Sequence, residues 1–164
     1  MKKISVLNRH YGLGSKNTTP EQIVAVFKNT TKKRFSIGIE DDVTKLSLKE
    51  DAPFNSTPKG THCLKFWGLG SDGTVGANKN SIKIIDDNTK LDAQEYFDYD
   101  SKKSGVLSCS HLRFDDKSIK STYLMTEADF VACHKSSYIE QYKMFEKLVD
   151  GGTFFLIVNG QKKN

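Results

Sequence analysis

The stretch Phe66-Trp67-Gly68-Leu69-Gly70-Ser71-Asp72-Gly73-Thr74-Val75-Gly76-Ala77-Asn78-Lys79 decides how this chain is read. Residues 61–67 ahead of it form an apolar run of strand type. After it, a helix is predicted over about 74–85, because Ala77, Ile82 and Ile85 recur at helical spacing, although Ser81 and Lys83 weaken the stripe. Strand, glycine loop and helix in that order mark the place where an open α/β sheet presents its ligand crevice. Gly68, Gly70 and Gly73 satisfy G-x-G-x-x-G literally. Such glycines let backbone N–H groups approach a phosphate, and the helix behind them offers its positive end. Ser71 and Thr74 add hydroxyl donors, and Lys79 adds a cation. A tight turn packed on a neighbouring domain explains the same glycines without a ligand.

Outward from the loop, the elements alternate. On the N-terminal side, residues 4–7 read as a strand and residues 9–15 as a loop. Thr19-Pro20-Glu21-Gln22 is a helix start, with a capping hydroxyl, proline at the first turn and an early acid. Ile23, Val26 and Phe27 give that helix its apolar face, and residues 35–39 alternate as a strand, completing a βαβ-like unit. Residues 48–60 carry Pro53, Pro58 and Gly60 with little apolar content and read as a linker. Beyond the loop, Asp86-Asp87-Asn88 is expected to end the helix. Strands are predicted at 91–99, 106–114, 123–125, 130–133 and 153–158, and a helix at 139–148 closed by Asp150-Gly151-Gly152. The fold class is α/β, a mixed or mostly parallel sheet with flanking helices.

Composition excludes several functions. Lysine and arginine number 25 against 20 acids, a net charge of +5, but Lys2, Lys3, Lys32, Lys33, Arg34, Lys162 and Lys163 are scattered as on a solvated surface. No nucleic-acid partner is expected. Cys63, Cys109 and Cys133 form no CxxC pair, so no metal or cluster site of this chain's own is expected. They read as buried strand thiols, which places the chain in the cytoplasm or another reducing intracellular compartment. No run reaches the roughly 18 apolar residues of a membrane span. His10, His62, His111 and His134 are isolated, and the paired aspartates sit in turns. A dinucleotide reading of the glycines needs an acid some 20 residues on, and Asp98 or Asp100 stands there. Asp72 inside the loop counts against it, and no Gly-Lys-Ser/Thr tripeptide supports a P-loop.

Longer motifs carry a resemblance. Residues 67–85 as a block, Tyr96-Phe97-Asp98-Tyr99-Asp100-Ser101-Lys102-Lys103-Ser104-Gly105, Ser110-His111-Leu112-Arg113-Phe114 and Ala128-Asp129-Phe130-Val131-Ala132-Cys133-His134 resemble the 2-oxoacid:ferredoxin oxidoreductases, specifically the single-chain pyruvate:ferredoxin (flavodoxin) enzymes. Tyr11-Gly12-Leu13-Gly14-Ser15-Lys16 and Gly38-Ile39-Glu40-Asp41-Asp42-Val43-Thr44 resemble the end of the domain before. The likeness covers about 8–156. It implies residues 1–50 as the end of that preceding domain, 51–60 as a linker, and 61–164 as the central gamma-type domain, truncated at its C-terminus.

The resemblance further implies oxidative decarboxylation of pyruvate with coenzyme A, giving acetyl-CoA and carbon dioxide. Thiamine diphosphate and 4Fe–4S clusters are expected in the full enzyme but not on this chain alone. Ferredoxin or flavodoxin and the enzyme's remaining domains or subunits are the expected partners, with a homo-oligomer allowed by apolar surface left bare. Carried onto this sequence, coenzyme A contacts fall on Gly70, Ser71, Asp72, Gly73 and Thr74, with Gly68 as the turn residue and Asn78, Lys79, Lys102 and Lys103 as further phosphate contacts. Residues 157–164 depart from the family's pattern and read as an altered end, so the chain alone is expected to be inactive. Two readings stand beside this one: a nucleotide-binding or interaction module, and an NAD-binding Rossmann-like domain.

Overall fold

The computed structural model describes residues 18–39, 42–52, 54–99 and 107–158, with the side chain of residue 99 left aside. The strand predicted at 4–7, the loop at 9–15, Glu40, Asp41, Asp100 and Lys102 lie outside them. Two compact units divide between Ser56 and Thr57.

In the first unit, α1 (Pro20–Lys28) begins as its sequence dictates. Thr19 Oγ accepts from the Gln22 amide, and Gln22 Oε1 accepts from the Thr19 amide, a complete capping box. Ala25, Phe35 and Ile37 form the buried apolar set. The strand predicted at 35–39 is reduced to a single parallel bridge between Ser36 and Ser47. Gly38, at φ +68°, turns the backbone out of the extended region and cuts the strand short. Asp42 holds the return loop by accepting from the Thr44 and Ser47 amides. The Thr44 hydroxyl and the Ser47 amide hold its carboxyl well below the usual range.

The second unit is a five-stranded mixed sheet in the order β2-β3-β1-β4-β5. Its strands are β1 (His62–Leu69), β2 (Asp92–Tyr99), β3 (Leu107–Asp115), β4 (Ala128–Cys133) and β5 (Leu148–Leu156). The β2–β3 and β3–β1 pairs are antiparallel, and the β1–β4 and β4–β5 pairs are parallel. Helix α2 (Thr74–Asn88) packs on β1, β2 and β3. Against the opposite face lie the short α3 (Tyr138–Gln141) and a 3₁₀ turn, Met144–Lys147. There Cys63, Met125, Val131, Cys133, Tyr138 and Met144 make the core.

Four further sequence expectations need correction. Residues 123–125 pair with no strand; Met125 is buried in the core instead. The helix expected at 139–148 breaks at Tyr142, where φ −131° and ψ 139° are extended. Stacking of Tyr142 on Trp67 and burial of Met144 fix both side chains against the core, and that packing overrides helical propensity. Asp150-Gly151-Gly152 does not precede the last strand but lies inside β5. Gly151, at φ +78°, absorbs a register shift against β4, so the glycines mark a bulge. Finally, α2 runs through Asp86-Asp87-Asn88 and buries Thr74 and Asn78, while Ala77 is exposed. The sheet's underlying face carries the small buried side chains Ser108 and Ser110, whose hydroxyls meet no partner among the described residues.

Candidate functional site

At the end of β1 the chain must turn sharply into α2, and each residue of the turn answers to a physical demand. Gly68 is still within β1 and is buried. A Cβ there would collide with Thr74 Oγ1, stand 2.8 Å from Thr74 Cβ and 2.9 Å from Asp72 Oδ2. Ser71 takes φ +75° and Gly73 takes φ +89°, so the turn passes twice through the left-handed region. That conformation suits Gly73, whose Cβ position is open, and strains Ser71.

Asp72 holds this geometry from inside. Its Oδ2 accepts from the Leu69 amide at 2.7 Å and its Oδ1 from the Thr74 amide at 2.8 Å. Partial burial raises the acid's pKa. The Thr74 hydroxyl and amide, the Leu69 amide and nearby His134 outweigh it and hold the carboxyl below its ordinary value. The protein's own carboxylate therefore occupies the first amide of α2. The helix geometry leaves the next amides, those of Val75 and Gly76, without intrahelical acceptors. Gly76, like Gly73, has nothing within 4 Å of its Cβ position. The free end of the helix dipole opens onto space a ligand can enter.

Thr74 is buried, and its Oγ1 lies 2.8 Å from His134 Nδ1. The His134 amide donates to the Trp67 carbonyl at 2.8 Å. These bonds tie the carboxyl end of β1 to that of its parallel neighbour β4. The chain leaves β1 toward the α2 face and leaves β4 toward the α3 face, so the two strand ends form a topological switch point, where open α/β sheets place their crevices. Sequence reasoning missed that His134 joins the loop, since 60 residues separate it from Thr74. Its position just past the apolar end of β4 was the available signal.

The other predicted contacts are scattered. Asn78 is 2% exposed under α2, and its Nδ2 meets no acceptor among the described residues. Lys79 Nζ stands 5.5 Å over the Phe97 ring, which occupies its charge on β2. Asp98, the acid of the dinucleotide alternative, pairs in register with Cys109 on β3 and through it with Trp67. That puts it on the sheet face opposite α2, on a strand separated from β1 by β3. A Rossmann acid belongs on the strand directly beside β1. Among the described residues, no three His, Cys, Asp or Glu side chains cluster as a metal site.

A family model described as pyruvate ferredoxin/flavodoxin oxidoreductase matches residues 63–163. The chain belongs to this family. It is 53% identical over 159 residues to the pyruvate:ferredoxin oxidoreductase of Moorella thermoacetica, an alignment covering 94% of this chain and 14% of that protein. It is 51% identical over 156 residues to the pyruvate-flavodoxin oxidoreductase of Trichormus variabilis, covering 93% and 13%. The mitochondrial NADP(+)-linked pyruvate dehydrogenase of Euglena gracilis is 44% identical over 162 residues, covering 93% and 9%. The chain thus spans a small part of each relative's length. Among solved structures, subunit PORC of the pyruvate oxidoreductase of Thermotoga maritima superposes with a TM-score of 0.52 at 13% identity, over 64% of this chain and 54% of that one. That likeness concerns the fold: a mixed α/β sheet of the pyruvate ferredoxin/flavodoxin oxidoreductase kind. Among the described residues, no helix is long and apolar enough to cross a membrane.

Proposed function

We propose that the turn from Gly68 to Gly76 seats the phosphates of coenzyme A, within the central part of an enzyme that converts pyruvate and coenzyme A to acetyl-CoA and carbon dioxide. The observation that carries this reading is the open helix end at the switch point between β1 and β4, already shaped by Asp72 and by strain at Ser71. The amides of Val75 and Gly76 and the Ser71 hydroxyl are the donors available to a phosphate, and Gly70 and Gly73 keep the backbone low enough for it to approach. Asp72, Thr74 and His134 orient these donors. Asn78 supports α2 from beneath, Lys79 adds positive charge on α2, and Lys102, outside the described residues, is in this reading a further phosphate contact.

Thiamine diphosphate, which stabilises the carbanion left by decarboxylation, and 4Fe–4S clusters, which carry the electrons, belong in this reading to other parts of the enzyme. Those parts, together with ferredoxin or flavodoxin as acceptor, are the chain's partners in a reducing intracellular compartment. Residues 1–50 close a preceding domain, 51–60 link it, and 61–164 form the coenzyme A-contacting domain.

Calorimetric titration of the chain with coenzyme A and, separately, with NAD tests the site. Coenzyme A is expected to bind and NAD to bind more weakly. Gly76→Val, whose Cβ meets no atom within 4 Å, covers the free amides without a left-handed backbone to strain and is expected to abolish binding. Gly73→Val does the same at the cost of strain. Tighter binding of NAD, or unchanged coenzyme A affinity in Gly76→Val, refutes the assignment.

A further inference from the structure

On the sheet face opposite α2 lies a cavity of about 590 Å³, within the range of small-ligand pockets. Its apolar wall is Trp67, Leu107, Leu124, Met125 and Tyr142, and its polar wall centres on Lys65 and His111. Lys65 stands in mid-strand on β1 and is 6% exposed, yet no hydrogen bond or ion pair reaches its ammonium among the described residues. A buried unpaired charge is costly, so what surrounds it matters.

Among the described residues, no carboxylate pairs with Lys65. His111, directly across the ladder, is pushed down to about 3 by burial and by Lys65 and Arg113, so it stays neutral. Burial pushes the Cys109 thiol up to about 12, so it stays protonated. Arg113 is committed elsewhere, donating to Gln94 Oε1 at 3.0 Å and the Tyr123 carbonyl at 2.7 Å. Glu146 at the rim is bonded to Lys143 at 2.7 Å, Lys147 adds a further positive charge, and Asp98 is exposed at the edge. Two more polar atoms on this wall lack partners. Trp67 Nε1, a donor only, and His111 Nδ1 are both buried without a hydrogen bond among the described residues.

We propose that this cavity is a carboxylate-binding site, in which Lys65 and the Trp67 indole N–H receive the two oxygens of a carboxylate whose carrier has an apolar body. The carrier is either a small carboxylic acid or the acidic side chain of a polypeptide segment. Both offer the same group, and the residues of the wall match that group rather than its source. The site is separate from the coenzyme A reading, which concerns the turn after β1 and the sheet face that carries α2.

Trp67 is the chain's single tryptophan, so its fluorescence reports occupancy directly. The chain is titrated at constant ionic strength with sodium butyrate, with a blocked peptide bearing one glutamate between leucines, and with inorganic phosphate. A saturable change in Trp67 emission with butyrate is expected. Lys65→Met weakens it at least about ten-fold, as loss of a bond to a charged group does, and Lys65→Arg retains it. A response to the peptide but not to butyrate assigns the polypeptide source. No saturable response to either carboxylate, a response to phosphate alone, or equal affinity in a Lys65→Met variant with unchanged circular dichroism overturns the proposal.

Discussion

Replacing Gly68 with alanine tests whether the turn is a mechanically coupled unit. The added methyl would collide with Thr74 Oγ1 and stand 2.9 Å from Asp72 Oδ2, closer than real Cβ atoms approach. Neither neighbour can yield freely. Thr74 is pinned by His134, and Asp72 by the Leu69 and Thr74 amides. Overpacking costs about 1–3 kcal/mol, and displacing one bond to a carboxylate adds about 1.5–3 kcal/mol. With partial relaxation, the expected loss is about 3 kcal/mol, which lowers the melting temperature of a unit this size by roughly ten degrees or more. Urea unfolding followed by Trp67 emission measures it. Gly73→Ala is the control: its Cβ position is open, so only the left-handed backbone is strained, by about 1–2 kcal/mol. Thr74→Ala removes the nearest of the atoms in the way, so the double variant should cost less than the sum of its parts by at least about 0.5 kcal/mol. A Gly68→Ala chain within about 0.5 kcal/mol of the parent would refute the reasoning.

Thr74→Val keeps the shape of the side chain but leaves His134 Nδ1 without its partner, and is expected to cost about 1–2 kcal/mol in the same unfolding measurement. His111 sets an acid limb. Its folded value, about 3, lies below the unfolded 6.5, so the unfolded state binds the extra proton between them; stability is present above about pH 6.5 and is lost as pH falls toward 3. The slope is at most about 1.4 kcal/mol per pH unit, and His111→Gln should flatten stability between pH 6.5 and 5, measured by urea titration. Cys63, Cys109 and Cys133 are buried and free. An aromatic disulfide reagent at pH 8 is expected to label none of them in the folded chain and all after denaturation; fast labelling of Cys109 in the native state would contradict its burial.

Much of this was legible from residue order. Thr19-Pro20-Glu21-Gln22 announced α1, and the glycines after Trp67 announced the β1–α2 turn, because both rest on local backbone demands. What stayed hidden depends on distant partners. Periodicity cannot say that β3 inserts between β1 and β2, which is what separates the strand of Asp98 from the glycine turn. Nor can spacing reveal that Tyr142 leaves a helical path to stack on Trp67. In the glycine loop, the residue types pointed to the right turn but not to its internal wiring. Asp72 read as an obstacle to phosphate and instead serves as the brace of the turn. Lys65 carries no signal in residue order, because a side chain's burial belongs to the sheet around it rather than to its neighbours in sequence.

The strand order also bears on how the chain reaches this state. β1 lies at the centre, yet neither of its partners is the strand that follows it in the chain. Among the described strands, only β2 and β3 are both consecutive and directly paired antiparallel. Short-range closure is the cheaper start, so this hairpin should form early, with β1 then docking against β3. Destabilising substitutions in the β2–β3 ladder should therefore slow refolding, and those in the β4–β5 ladder should mainly speed unfolding. The opposite partition in stopped-flow kinetics would show that the centre of the sheet assembles first.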